Sequence, residues 1–467
     1  MFLAPQALNA YVAVRPPDYA EERSGDSLVV WADPPYWMVV DPEFLDLLQE
    51  LGGERTLRQV VETRPAWQGT RRDIARQIGN LLAAGVAADA AGHEARSGQQ
   101  DAPDARIENI AVNITRQCNL RCHFCYNLHA LTFDDDTELA AEEIVKFLDA
   151  ARPFVSRRPS LTVLGGEPLL CPDKLLAVCR HAARHGFETL VSTNGILVSE
   201  DFARAARRIG LQVQVSLDGH RAELNDALRG AGTFDRIVRG ITTLVRHRVH
   251  TIVSMVCHRD NLAYLEPFYG FAAALGVAEA RFIPLKRIGG ALSGRLDPVR
   301  INDLMRAAFA TFEREPRYLP LTGRDAFSIL ANTCQYSSRR PSCGTGLQTV
   351  LLDADGRLYP CPNTNVPEFA IASIRDPDFE FAEVWQESPV LQRHRQLTDI
   401  SRMNETCSVC VVRHWCLGGC RGETLATTGD LTAPAPNCLE LREATMEMFW
   451  ILARHPHIVG PATRVCG

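Results

Sequence analysis

The sequence lacks an apolar run that could cross a membrane: no uninterrupted stretch reaches the roughly 18 residues required. It also lacks an excess of basic residues, since its formal net charge is −6. That balance argues against general binding of nucleic acid or of an anionic membrane surface. A basic region leading into a long apolar segment is missing from Met1 to Pro16, so no secretory signal is evident there. These absences predict a cytoplasmic protein without a membrane or nucleic-acid partner.

What is present is an ordinary globular composition with many cysteines. The 467 residues suffice for two or three domains, and 46% hydrophobic with 23% charged residues are typical of such domains. In a reducing compartment, the 15 cysteines should not form disulfides. Because they cluster in the sequence, metal binding is the better interpretation.

Residues 1–87 are predicted to form a small winged-helix domain. Alternation in Leu28–Trp31 and Tyr36–Val40, around the turn signal Asp33-Pro34-Pro35, predicts a hairpin. Three helices should follow, because caps and helical spacing of apolar residues succeed one another. The first begins at Asp41-Pro42 and stops at Gly52-Gly53, the second covers Leu57 to Thr63, and the third carries Ile74, Ile78, Leu81 and Leu82.

Residues 88–105 contain almost no large apolar side chain. A segment that cannot bury surface does not fold alone, which predicts a linker that tethers the first domain and lets it move.

From residue 106 to 290, apolar strands alternate with amphipathic helices. This order predicts an α/β fold with a parallel sheet, in which ligands bind at the carboxyl ends of the strands. The expected strands are Ile110–Ile114, Leu161–Leu164, Thr189–Ser192, Val213–Leu217, Ile252–Cys257 and Ala280–Ile283. The expected helices are Ala140–Ala151, Pro172–His185, Glu200–Ile209, Phe234–Val249 and Leu262–Leu275. A connecting region at 291–333 includes a predicted helix from Ile301 to Phe312.

Three thiols, Cys118, Cys122 and Cys125, have the spacing C-x3-C-x2-C just after the first of these strands. Thiolates are the ligands that iron-sulfur clusters and zinc prefer. A closed structural site wants four ligands, so three leave one position for a small molecule. A four-cysteine zinc site with a distant fourth ligand is the alternative.

Polar and glycine-rich motifs end three other strands. Gly165-Gly166-Glu167-Pro168 offers close backbone approach and a carboxylate, and Ser192 with Asn194 and Ser216 with Asp218 follow the next strands. Their alternative roles are a capping carboxylate for Glu167 and a loop-stabilising turn for the later pair.

At this point the sequence resembles the radical S-adenosylmethionine (SAM) superfamily, whose loop has this cysteine spacing with an aromatic residue, here Phe124, before the third cysteine. The resemblance implies a partial (β/α)6 barrel. It also implies that Cys118, Cys122 and Cys125 are catalytic ligands of a [4Fe-4S] cluster whose open iron binds SAM. The implied SAM contacts are Phe124, Tyr126, Gly165, Gly166, Glu167, Ser192, Asn194, Ser216, Asp218 and Arg229.

A second concentration of cysteines lies in residues 334–440, before a final helix and tail at 441–467. Its spacing resembles the SPASM domain, which implies two auxiliary [4Fe-4S] clusters and therefore three clusters in all. One would take Cys343, Cys361 and Cys420, with Cys334 as the natural fourth ligand or with an open iron; the other would take Cys407, Cys410, Cys416 and Cys438. Zinc in a four-cysteine knuckle is the competing interpretation.

The order of elements in the first domain resembles the RiPP recognition element (PqqD-like), which captures leader peptides of ribosomally made, modified peptides. The implied surface is Tyr36 to Val40 with Arg72 to Leu82, where a leader adds as an extra strand. A domain that only packs on its neighbour or dimerises is the alternative.

Together these resemblances imply a radical SAM/SPASM peptide maturase. Its partners would be a precursor peptide and an electron donor of the flavodoxin or ferredoxin type. The expected product is an intramolecular thioether or carbon-carbon crosslink rather than an epimer, because epimerisation involves no net oxidation of the substrate. The alternatives are a maturase of a folded protein of the sulfatase type, an oxidase in a small-molecule cofactor pathway, and a non-catalytic iron-sulfur scaffold.

Overall fold

The computed structural model describes residues 9–63, 71–89, 106–131, 137–322 and 340–455. Across these ranges, no helix combines the length and apolar character that a membrane span requires. The predicted linker lies outside them from residue 90 to 105, and so does Cys334.

Over residues 9–63 and 71–89, the first domain has two small antiparallel sheets and three helices. Its elements are β1 (Tyr11–Val14), β2 (Tyr19–Arg23), β3 (Asp26–Ala32), β4 (Pro35–Val40), α1 (Pro42–Glu50), β5 (Gly52–Thr56), α2 (Leu57–Glu62), α3 (Arg71–Ala84) and β6 (Ala87–Asp89). The predicted hairpin is confirmed, because β3 pairs with β4. The predicted cap is confirmed as well, since the Asp41 carboxylate accepts from the Phe44 amide at 2.7 Å. The arrangement fits a winged-helix domain, and β6 carries it two residues beyond the expected boundary at 87.

Six parallel strands form the main sheet in sequential order, as expected for a partial (β/α)6 barrel. They are β7 (Ile107–Asn113), β8 (Val155–Leu164), β9 (Glu188–Thr193), β10 (Gln212–Ser216), β11 (His250–Cys257) and β12 (Glu279–Pro284). The helices between them are α4 (Ala141–Ala151), α5 (Pro172–Arg184), α6 (Glu200–Ile209), α7 (Ala222–Arg229), α8 (Thr233–Arg246) and α9 (Leu265–Leu275). All six strands were predicted, whereas α7 was not.

The cysteine-rich region continues this sheet. Helix α10 (Ile301–Arg314) lies in the connecting region before it. The elements of the cysteine-rich region are β13 (Thr349–Leu352), β14 (Arg357–Tyr359), β15 (Ala372–Ser373), α11 (Phe381–Glu387), α12 (Pro389–Leu397), α13 (Glu405–Ser408), α14 (Arg413–Cys416) and α15 (Arg421–Thr428), and the final helix α16 (Cys438–Arg454) begins at its end. Strand β13 pairs in parallel with β7, so the region is joined to the barrel edge through backbone hydrogen bonds. This junction places the later cysteines beside the carboxyl ends of the barrel strands.

The first domain packs on α16 through a buried face of its sheet. Leu28, Val30 and Trp37 belong to the same apolar core as the barrel, while Val29 and Trp31 point into the domain's own core. Strand β3 is therefore buried on both faces. Such burial opposes the free movement that the linker composition predicted for this domain.

Candidate active site

The loop after β7 that carries Cys118, Cys122 and Cys125 is fixed by Glu138. The Glu138 carboxylate accepts from the Thr115 hydroxyl at 2.8 Å and from the Arg116 amide at 2.7 Å. Arg116 in turn pairs with Asp353, which follows β13. The loop is thus held by both the barrel and the cysteine-rich region. Neither Glu138 nor Arg116 was predicted, because an isolated charged residue has no local pattern.

The three thiols of this loop are a suitable donor set for a metal cluster. Burial raises the pKa of Cys118 to about 11 and also raises the pKa of Cys122 and Cys125. Each ionised thiol would further disfavour ionisation of its neighbours. Coordination to a metal cluster removes this penalty, because the ligands bind as thiolates. The residues present therefore fit the predicted cluster.

Gly165 and Gly166 lie directly against the backbone of the cysteine loop. The Gly166 amide donates to the Thr115 carbonyl at 2.8 Å. A Cβ on Gly166 would lie 2.1 Å from the Gln117 carbonyl oxygen, and one on Gly165 would lie 2.5 Å from that of Thr115. Only glycine permits this approach, which brings the motif to the three thiols.

Glu167 joins the ends of two strands. Its carboxylate is 1% exposed and accepts from the Thr193 hydroxyl at 2.6 Å, the Asn194 amide at 2.7 Å and the Leu169 amide at 3.0 Å. The alternative interpretation as a capping carboxylate is therefore confirmed. The contact with SAM stays a prediction.

Asn194 and Ser192 lie at the carboxyl end of β9. The Asn194 side-chain amide donates to the Asn119 side chain in the cysteine loop at 2.8 Å. Ser192 and Ser216 are both half-buried, the first one residue before the end of β9 and the second at the end of β10. All three predicted SAM contacts therefore lie at the same edge of the sheet as the cysteine loop.

Asp218 and Arg229 form a buried ion pair beside the first cysteine group. The Arg229 Nε lies 2.7 Å from Asp218 Oδ2, and its Nη1 lies 4.0 Å from the Cys122 sulfur. The guanidinium also lies over the Phe124 ring, 5.6 Å from its centroid. Asp218 Oδ1 accepts from the Val256 amide at 2.8 Å. The structure thus brings the predicted arginine to the thiols, where it already has a carboxylate partner.

Tyr126 is half-buried, and burial raises its pKa. Its backbone carbonyl is approached by Gly289, where a Cβ would lie 2.3 Å from the Tyr126 oxygen. The neighbouring Gly290 amide donates to the Cys125 carbonyl at 2.8 Å. These two glycines therefore support the cysteine loop.

A second group of thiols, Cys343, Cys361 and Cys420, lines a cavity of about 630 Å³ between the end of β12 and the cysteine-rich region. Cys343 is exposed to this cavity although protein surrounds it, and burial raises its pKa to about 11. The Asn363 side-chain amide donates to the Cys420 sulfur at 3.5 Å. The residues fit one auxiliary cluster, and the expected fourth ligand, Cys334, lies outside the described ranges.

A third group of thiols lines a much smaller cavity of about 20 Å³. It consists of Cys407, Cys410, Cys416 and Cys438. Burial and the neighbouring thiols raise the pKa of Cys416 to about 12. Arg421 lies beside both groups, 2% exposed, and donates to the carbonyls of Leu431 and Ala433. The two groups match the two ligand sets that the SPASM resemblance implies.

Two family comparisons agree with this geometry. Residues 112–272 match the radical SAM superfamily, and residues 343–411 match SPASM, described as an iron-sulfur cluster-binding domain. The chain therefore carries a radical SAM domain and a SPASM domain, and it is a radical SAM enzyme.

Named relatives include both small-molecule and peptide enzymes. The AdoMet-dependent heme synthase of Methanosarcina barkeri is 26% identical over 347 residues, which are 71% of this chain and 95% of the relative. The mycofactocin maturase MftC of Mycobacterium tuberculosis is 29% identical over 361 residues, 75% of this chain and 86% of that protein. The crystal structure of Streptococcus suis SuiB bound to precursor peptide SuiA has a TM-score of 0.57 at 12% identity, covering 91% of this chain and 99% of that one. This last likeness concerns the fold.

Proposed function

We propose that this enzyme reductively cleaves SAM and modifies a ribosomally synthesised precursor peptide, forming an intramolecular thioether or carbon-carbon crosslink. One observation carries the peptide part: a small antiparallel sheet with an edge strand is built onto the barrel core. Within the described residues, β4 pairs only with β3. Its other edge could take a peptide strand, with α3 as the neighbouring support.

The first cysteine group would hold the SAM-binding cluster, which when bound with SAM supplies a 5′-deoxyadenosyl radical that removes a hydrogen atom from the substrate. Gly165 and Gly166, whose backbone packs against the cysteine loop, would contact the methionine end of SAM beside the three thiols. Arg229 would offer its guanidinium to the SAM carboxylate, while Asp218 fixes its orientation. Phe124 and Tyr126 would pack against the adenine.

The second and third cysteine groups would hold two auxiliary [4Fe-4S] clusters, with Cys334 completing the first. Once the radical has taken one hydrogen atom, closing the crosslink releases one proton and one further electron per bond, and an electron acceptor near the cavity would take that electron. An external flavodoxin or ferredoxin would deliver electrons to the enzyme. The reducing cytoplasm is the compartment that suits such clusters.

A second candidate is oxidation of a small molecule. The observation that favours it is the heme synthase relative, of which 95% aligns with this chain. In that case the first domain would bind no leader. A folded protein substrate, as in sulfatase maturation, predicts the same absence of leader binding.

The test uses the full chain, loaded with iron and sulfide without oxygen, together with any short peptide that an open reading frame next to its gene encodes. We expect 5′-deoxyadenosine from SAM and a peptide that loses hydrogen mass, both abolished by Cys122→Ser. The matched control is Cys171→Ala, since Cys171 belongs to none of the three groups. SAM cleavage without any change in the peptide would favour the small-molecule candidate. A loaded protein that never cleaves SAM would overturn the proposal.

A further inference from the structure

Three potential metal ligands meet on the outer surface of the barrel, away from the cysteines. They are Asp149 in the last turn of α4, His181 in the last turn of α5, and His185 directly after α5. Their potential ligand atoms all lie within 4.8 Å of one another. The proposed reaction uses none of these residues.

Helix geometry explains why the side chains converge. His181 and His185 are four residues apart, so they lie on one face of α5, and their ring centroids are 4.2 Å apart. Helix α4 supplies Asp149 from the other side. The Asp149 side chain is 52% exposed and that of His181 is 21% exposed, so an ion could reach them from solvent.

Hydrogen bonds orient the imidazole rings of His181 and His185 for metal binding. His185 Nδ1 lies 2.8 Å from the His181 carbonyl oxygen, an arrangement in which Nδ1 carries the proton. The lone pair is then on Nε2, and a backbone carbonyl behind the ring is the usual support for a metal-binding histidine. His181 Nε2 lies 2.8 Å from Asp149 Oδ1. An ion placed between these two groups would replace that contact with two metal bonds.

The distances are close to those of a zinc site. Bonds of roughly 2.0–2.1 Å in a tetrahedron place ligand atoms about 3.3 Å apart. To bind zinc, His181 Nε2 and Asp149 Oδ1, now 2.8 Å apart, must move slightly away from each other. Ligand atoms that are up to 4.8 Å apart must move closer together. Rotation about side-chain bonds allows both movements. The carboxyl ends of two helices also favour a cation, because the helix dipole is negative there.

We propose that Asp149, His181 and His185 bind a divalent transition metal ion, with Zn²⁺ as the best fit, and that this ion ties α4 to α5. Two imidazoles, one carboxylate and a water complete four-coordinate zinc. The site lies at the carboxyl ends of the helices, next to the amino ends of the barrel strands. In such barrels that face serves stability rather than catalysis.

The test uses the full chain carrying its iron-sulfur clusters, incubated without oxygen with Zn²⁺ and then dialysed. We expect the native protein to retain one more zinc per chain than His181→Gln or His185→Gln, and to melt at a higher temperature with zinc than without. Asp149→Asn should weaken retention. The matched control is His247→Gln, a half-buried histidine directly after α8 that should retain zinc as the native protein does.

If the native protein and both histidine variants retain the same amount of zinc per chain, the proposal is overturned. The retained zinc would then be bound at the cysteines or nonspecifically. A melting temperature that does not change with zinc would also overturn the proposal. The three side chains would then form only a hydrogen-bonded network without metal. Unchanged cluster absorbance and SAM cleavage in the variants would show that they are folded.

Discussion

Trp37 of β4 stacks on Phe449 of α16, with ring centroids 4.6 Å apart and an interplanar angle of 18°. Trp37 is only 7% exposed. This pair joins the first domain to the helix that begins at Cys438, the last cysteine of the third group. Any peptide held by β4 would therefore have a fixed position relative to the barrel.

Trp37→Ala should loosen the first domain without abolishing SAM cleavage. Truncating a buried tryptophan costs about 3–5 kcal/mol of stability, here mostly in docking. We expect faster proteolysis between the first domain and the barrel, and slower peptide modification with cleavage of SAM retained. Tyr11→Ala is the control, because Tyr11 is 40% exposed and should change stability by less than about 0.5 kcal/mol. If Trp37→Ala is cleaved at the same rate as the native protein, Trp37 does not hold the first domain on α16.

Gly166→Ala should destroy the first site. Its new Cβ would meet the Gln117 carbonyl at 2.1 Å, and since that atom is backbone, the cysteine loop must move. A displacement of about 1 Å at a reacting centre can cost about 100-fold in rate. We expect at least that loss in SAM cleavage, with less iron bound. Gly52→Ala should leave both unchanged, because no atom lies within 4 Å of its added Cβ.

The single variant Asp218→Asn should be less stable than the double variant that carries both Asp218→Asn and Arg229→Met. Arg229 is 9% exposed, and a buried charge left without its partner costs about 3–5 kcal/mol. Removing the guanidinium as well should restore part of this loss. Thermal unfolding of the two single variants and the double variant measures the coupling. Additive losses would show that the pair at 2.7 Å contributes no mutual stabilisation.

The barrel was predictable because its strands are consecutive apolar runs and its ligand motifs follow those strands directly. The junction between β7 and β13 was not, since it pairs Ile110 with Val350 and leaves no local pattern. The run Leu28–Trp31, with no polar residue between its apolar ones, was a missed signal of a strand buried on both faces.

Within the candidate site, spacing identified the cysteines because cluster ligands must lie close together on short loops. It did not identify Glu138, whose role depends on contacts with Thr115 and Arg116 across an intervening loop. It also did not predict that the Glu167 carboxylate accepts hydrogen bonds from Thr193 and Asn194. Such partners appear only when the chain is folded.

His394 should make the protein less stable in mild acid. It is fully buried, and burial lowers its pKa to about 4, whereas an unfolded histidine titrates near ~6.5. Because the folded pKa is the lower one, this stability is present above pH ~6.5 and is lost as the pH falls toward 4. Between pH 7 and 5 the loss from this group should be about 2 kcal/mol.

The measurement compares the native protein with His394→Gln in denaturant titrations at both pH values, followed by tryptophan fluorescence. Gln can keep the contact with the Thr345 hydroxyl, which lies 2.9 Å from His394 Nε2. Acid effects on the cysteine sites are common to both proteins and cancel in the difference. Equal pH dependence in the two proteins would show that His394 is not the titrating group.

Lys286→Met should lower the reduction potential of the cluster that we propose at Cys343, Cys361 and Cys420. Lys286 follows β12 and lines the same cavity as these thiols. The charge of the Cys420 thiolate, the largest cause, raises the pKa of Lys286, so the ammonium remains protonated at neutral pH. A positive charge beside a cluster favours its reduced state, because reduction adds negative charge.

Potentiometric titration followed by electron paramagnetic resonance separates this effect from activity. Lys286→Arg should keep the native potential, since it keeps the charge in the cavity. The matched control is Arg287→Met, because Arg287 is the exposed neighbour and its charge is screened by water. A similar shift in Arg287→Met would mean that net charge alone is responsible. An unchanged potential in Lys286→Met would show that this cation does not act on the cluster, whatever the enzyme does to its substrate.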